Sequence, residues 1–184
     1  MNSQFLFEKL EHSEEYKKFM KENPDAYLCS AFFIIDLQNH QPVLASSCNP
    51  IEIEDSSDAE NKYHFDYYIP SSKKTFSFEM EGEIKLVPLE RYDEKALEKV
   101  SSNQHFDFDE IYDKIMKEME EKKIKNKIQK MIFSLQNFEG KDTLFGTILI
   151  SGLALIKMTF DISENKIEEF EKKSFFDMMK IVKK

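Results

Sequence analysis

Glycine is scarce in this chain, and the shortage excludes a class of chemistry. The 184 residues hold four glycines, at positions 82, 140, 146 and 152, which spell neither GxGxxG nor GxxxxGK[S/T]. No glycine-rich phosphate cradle can therefore form, and no GxSxG elbow is available for a nucleophilic serine. Tryptophan is absent while phenylalanine is abundant, at 17. A Phe-rich, Gly-poor chain predicts packed sheet faces with few tight backbone approaches. Only two cysteines occur, Cys29 and Cys48, too few for a disulfide scaffold or a zinc site built on cysteine alone. The histidines, His12, His40, His64 and His105, are scattered and show no metal-ligand spacing.

Positive charge is also short, with 26 Lys and Arg against 35 Asp and Glu, a net charge of −9. Such a chain repels phosphate backbones, so no nucleic-acid partner is expected. The one basic cluster, Lys122, Lys123, Lys125, Lys127 and Lys130, reads as a solvated helix C-terminus, where cations favour the dipole. Long hydrophobic runs are missing too. The longest, residues 144–156, is interrupted by Thr147, Ser151 and Gly152. It falls short of the ~20 apolar residues a spanning helix needs and predicts a buried strand. The N-terminus has no basic start or sustained apolar core. These absences predict a soluble, cytoplasmic protein with no membrane association.

What is present is a pattern used twice: an amphipathic helix followed by apolar-rich strands. The first helix is expected over residues 4–22, ended by Asn23-Pro24, because proline disfavours helical geometry in the residue before it. A strand follows at 26–37, whose unbroken run Phe32-Phe33-Ile34-Ile35 suits a central place in a sheet. Asn39-His40 is a turn candidate and 43–48 a returning strand. Residues 62–69 alternate strictly, with Tyr63, Phe65, Tyr67 and Ile69 on one face. Strands at 75–80 and 84–87 follow, with Gly82 as a possible bulge between them.

Residues 89–105 read as a linker between a first unit, 1–88, and a second, 106–184, with room for a short helix at 93–100. In the second unit Asp107 is an expected N-cap, with Glu110 three residues on as in a capping box. Phe108, Ile111, Tyr112, Ile115 and Met119 give the helix one apolar face. Strands are expected at 127–136, at 144–162 with a bend at Gly152, and at 167–175, with 177–182 as an extension or a short helix. The fragment Ile34-Ile35-Asp36-Leu37-Gln38-Asn39 echoes Ile132-Phe133-Ser134-Leu135-Gln136-Asn137 and hints at duplication. The fold class is therefore α+β, built of two helix-plus-antiparallel-sheet units. This order, helix then meander, resembles the cystatin and PepSY-like folds, a resemblance of element order alone. It implies a binding or inhibitory module.

Candidate sites are few. Tyr63, Phe65, Tyr67, Phe76 and Phe78 share one face of adjacent strands, where a curved sheet over a helix can leave an apolar ligand pocket or simply pack as core. Cys29 and Cys48 read as small buried hydrophobes, the alternative being a redox pair or a nucleophile beside His64. His64 and Asp66 share a strand face. The acidic stretch around Glu54, Asp55, Asp58 and Glu60 lacks the arrangement of a calcium loop. Glu120-Glu121 and Glu168-Glu169 read as ordinary charged surface.

No catalytic, cofactor or metal site is expected. The leading expectation is a non-catalytic binding module with a protein partner, or a homodimer formed through sheet edges. The alternative is a small-molecule binder or enzyme that uses the aromatic pocket.

Overall fold

The N-terminal helical region is two helices. The computed structural model describes residues 2–37, 61–90, 98–101 and 105–174. Helix α1 (Ser3–Glu11) is capped by Asn2, whose side chain accepts from the Gln4 N–H at 2.8 Å. Helix α2 (Glu14–Glu22) starts afresh at Ser13. This corrects the single helix expected over 4–22. The Ser13 hydroxyl accepts from the Tyr16 N–H at 3.2 Å and donates to the Leu10 carbonyl at 2.7 Å. One side chain thus satisfies an orphan donor of α2 and an orphan acceptor of α1. The chain leaves α2 at Asn23, as Pro24 requires.

The strands are β1 (Tyr27–Asp36), β2 (Lys62–Ile69), β3 (Lys74–Glu81), β4 (Glu83–Leu89), β5 (Ile128–Phe138), β6 (Lys141–Ile150), β7 (Ala154–Asp161) and β8 (Lys166–Ser174). They form one eight-stranded antiparallel sheet in the order β4-β3-β2-β1-β5-β6-β7-β8. The α+β class with an antiparallel sheet therefore stands, but the protein is mostly sheet and is not two helix-plus-sheet repeats. The physical reason lies in β1. Its run Phe32-Phe33-Ile34-Ile35 is apolar on both faces, which suits a strand flanked on both sides. β1 pairs with β2 on one side and β5 on the other, with Phe33 opposite Phe133 and Ile34 opposite Ile132. The two echoing fragments touch in this seam at one pair, Ile34 opposite Ile132.

The strand expected over 144–162 is a hairpin. Gly152 and Leu153 both take positive φ, 83° and 53°, and reverse the chain between β6 and β7 instead of bending it. Gly146 serves a different need. A Cβ there would lie 2.5 Å from Met158 Cγ, so β6 can pack against β7's side chains only with a hydrogen at that position. Gly82 separates β3 from β4, where Glu81 stands opposite Glu83, and is no bulge.

Helix α3 (Phe108–Glu121) is capped as its sequence predicts. The Asp107 carboxylate accepts from the Asp109 N–H at 2.7 Å. The three described helices lie on one face of the sheet. Phe7 of α1 packs on Phe65 with ring centres 4.8 Å apart, Phe19 of α2 on Phe78 at 5.2 Å, and Phe108 between Phe33 at 5.1 Å and Phe133 at 5.7 Å. Phe33, Phe65, Phe78, Phe133 and Phe160 are fully buried there. The region read as a linker contributes to this core: Val100 is buried and its N–H donates to the Leu28 carbonyl at 2.9 Å. The returning strand at 43–48, the acidic stretch 54–60, His40, Cys48 and residues 177–182 lie outside the described residues.

Candidate functional site

The five aromatic residues singled out from the sequence do share a face. Phe65 stands opposite Phe78 and Tyr67 opposite Phe76 in the β2–β3 register. That face is the helix-covered one. Phe19 and Tyr16 pack into the group, with Tyr16 5.6 Å from both Tyr67 and Phe78. The Tyr67 hydroxyl donates to the Tyr16 hydroxyl at 3.5 Å. Burial pushes the Tyr67 phenol far above its usual range, with the Tyr16 hydroxyl adding to the effect, so it stays protonated in ordinary buffers. Edge-to-face packing of this density holds the α1–α2 hairpin to the sheet.

Cys29 is buried, and its thiol donates to the Asp66 carbonyl at 3.2 Å. A register shift between Leu28 and Ser30 places it at an irregular point of β1. His64 and Asp66 share the opposite face of β2 but do not pair. Asp66 accepts the Ser30 hydroxyl at 2.7 Å. The His64 Nε2 lies 3.6 Å from Glu81 Oε1. Lys62, 2.9 Å from the same carboxylate, holds Glu81 below the usual carboxylate range, chiefly through its hydrogen bond. The basic cluster is dispersed. Lys122 bridges to Glu118 at 3.7 Å, while Lys130 reaches β1 and pairs with Asp36 at 2.7 Å.

The face of the sheet that no described helix covers, called helix-free below, is where sequence reasoning looked least. Along its centre Phe32 lies in register with Ser134 and Phe145, and Ile34 with Ile132 and Thr147. Phe32 is 36 % exposed, and Ile34, Ile132 and Phe145 are half-buried. No described helix covers them. At the β5–β6 turn this row ends in Phe138, 56 % exposed and set edge-to-face on Phe145 at 6.0 Å and 88°. Beside the pair runs a groove of about 610 Å³, whose far wall carries Thr159, Glu168 and Glu169.

A β-bulge builds that wall. Thr159 stands opposite Glu169 and Phe160 opposite Ile167, so Glu168 is an extra residue in β8. A regular strand sends consecutive side chains to opposite faces, whereas a bulge re-aims one of them. Both carboxylates thereby line the groove. Glu169 accepts the Thr159 hydroxyl at 3.3 Å. Nearby, Ser163 donates to Asp161 at 2.6 Å and holds that carboxyl below its usual range, helped by the Glu164 N–H at 3.0 Å.

Sequence reading passed over Phe138, Phe145, Glu168 and Glu169 as site residues. One signal was present. Phe138 falls in phase with Lys130, Ile132, Ser134 and Gln136, so an exposed ring ends a largely polar phase of β5.

No protein-family model matches the chain, and no curated protein matches its sequence. A solved structure that resembles it is that of a Clostridium difficile 630 protein provisionally described as a lipoprotein. It is 12 % identical, has a TM-score of 0.47, and the match covers 87 % of this chain and 91 % of that one. The cytoplasmic location expected from the sequence is withdrawn, and the compartment is unassigned. No helix among the described residues is long and apolar enough to cross a membrane.

Proposed function

We propose that this protein is a non-catalytic binding module that engages a protein partner through the helix-free face of its sheet. One observation carries the reading. Phe32, Ile34, Ile132 and Phe145 form a partly exposed apolar row across three central strands, while the covered face is filled by its own helices. Apolar side chains gathered on one open face gain most when a partner removes them from water.

The sheet edges are less suited to the role. β4 carries Pro88, which cannot donate to an added strand, and β8 presents Lys166, Glu168, Glu169, Glu171, Lys172 and Lys173. Proline and dense charge are the usual guards of an edge. This favours the open face over an edge-paired homodimer.

The test compares wild type with Ile132→Lys and with Leu86→Lys on edge strand β4, an exposed position in register with Phe78 on the other face. Each is used to capture partners from the source organism under matched conditions. The reading expects a partner held by wild type and Leu86→Lys and lost by Ile132→Lys, with circular dichroism confirming that all three fold. An identical captured set for wild type and Ile132→Lys would overturn it.

A further inference from the structure

We infer that the groove beside Phe138 receives a lysine or arginine side chain of a partner polypeptide. The inference rests on reading the helix-free face as the binding surface, and it names the chemistry at one end of that face. The first support is the aromatic wall. Phe138 is more than half exposed, stands edge-to-face on Phe145 and lines the groove. An exposed aromatic ring is a surface on which a cation can rest.

The second support is the charge opposite that wall. The bulge brings Glu168 and Glu169 to the same groove, and Glu139 stands at the turn beside Phe138. The one cation in the lining, Lys141, has Asp161 as its ion-pair partner at 3.8 Å. The lining therefore carries three carboxylates against one already paired ammonium.

The third support is the spacing of the acids. Among the described residues no three acidic, histidine or cysteine side chains converge closely enough to hold a metal ion. Carboxylates and an aromatic ring that line one groove suit an extended organic cation, whose stem packs on the ring while its charged end is shared between acids. A protein of net charge −9 also draws a basic partner toward it.

The test is fluorescence anisotropy with fluorescein-labelled hexalysine, hexaglutamine and hexaglutamate, on the full chain at near-physiological salt. Hexalysine is expected to bind and the other two are not. Phe138→Ala should weaken hexalysine at least about threefold, and Phe138→Leu, which keeps an apolar wall without a ring, should weaken it as well. Glu168→Gln with Glu169→Gln should weaken it at least about fivefold. Glu120→Gln with Glu121→Gln, which removes the same charge from the end of α3, should change it less than twofold.

Equal loss in the two double variants would mean diffuse attraction and would overturn the inference. So would an unchanged Phe138→Ala, or hexaglutamine binding as well as hexalysine. The outcome is separable from the wider reading. If Ile132→Lys keeps the native partner while Phe138→Ala loses hexalysine, the groove stands and the face does not. The reverse pattern retains the face and removes the groove.

Discussion

Ser3 and Phe106 hold each other by two hydrogen bonds. The Ser3 backbone N–H donates to the Phe106 carbonyl at 2.9 Å, and the Phe106 N–H donates to the Ser3 hydroxyl at 3.0 Å. Ser3 is fully buried, so this clasp ties the start of α1 to the entry of α3 out of contact with water. Ser3→Ala would leave the Phe106 N–H buried without its acceptor and is expected to cost about 1–3 kcal/mol. Urea unfolding measures it. A midpoint equal to wild type would show that the clasp is incidental.

Phe32 and Phe33 are neighbours in β1 on opposite faces, at 36 % and 0 % exposure. Phe33→Ala empties the space between Phe108, Phe65 and Phe133 and should cost about 3–5 kcal/mol. Phe32→Ala removes a ring from the open face and should cost about 1 kcal/mol or less. Denaturation of the two variants side by side checks the assignment of faces. Equal losses would mean that something covers Phe32 in solution.

Scarcity of glycine leaves a stabilising substitution available. Lys123 follows α3 with a φ of 56°, its N–H bonded to the Glu120 carbonyl at 2.9 Å and the Ile124 N–H bonded to the Met119 carbonyl at 2.7 Å. This is a Schellman end, a position that usually holds glycine. Lys123→Gly removes the Cβ strain and is expected to raise stability by about 0.5–1 kcal/mol. A lower melting temperature for the variant would contradict it.

Acid should weaken the fold through identifiable groups. The Ser71 N–H holds Asp25 below its usual value, Lys62 does the same for Glu81, and the Ser163 hydroxyl for Asp161. A folded value below the unfolded one means that the ionised form favours the native state. The gain is complete above the unfolded values, near 4, and is lost as pH falls through the lower folded ones. Ser163→Ala should therefore raise the Asp161 midpoint in a carbon-detected NMR titration. Its stability deficit against wild type should be present at pH 7 and shrink as pH falls below the unfolded value near 4. A deficit that grows on acidification would reverse the sign.

Much of this architecture was legible in the sequence, in places where one local rule acts alone. The alternation of Tyr63, Phe65 and Tyr67 gave β2, the Asp107 cap gave α3, and the doubly apolar run at Phe32–Ile35 gave β1 its central place. Reading failed where one residue served two elements or where a strand broke its period. Ser13 ends one helix and starts another, but within a helical stripe it looks like a tolerated polar residue. Gly152 signals a bend or a reversal equally well until the partner strand is known. The groove was hidden for the same reason. Alternation sends Glu168 and Glu169 to opposite faces, and only pairing with β7 reveals the extra residue. The merging of the halves was invisible because the β1–β5 register is a long-range fact that no local pattern encodes.

The β1–β5 seam also constrains how the protein can be made. Phe33 and Phe133, which face each other at its centre, are 100 residues apart in the chain. At roughly 5–20 residues per second, a ribosome delivers the second about 5–20 s after the first. Throughout that interval β1 is complete but lacks one neighbour, and its bare backbone edge sits beside its most apolar side chains. A message cut short before residue 128 would release that edge permanently. Truncated translation products of this protein should therefore aggregate or recruit chaperones, whereas the finished chain closes the edge with its own fifth strand.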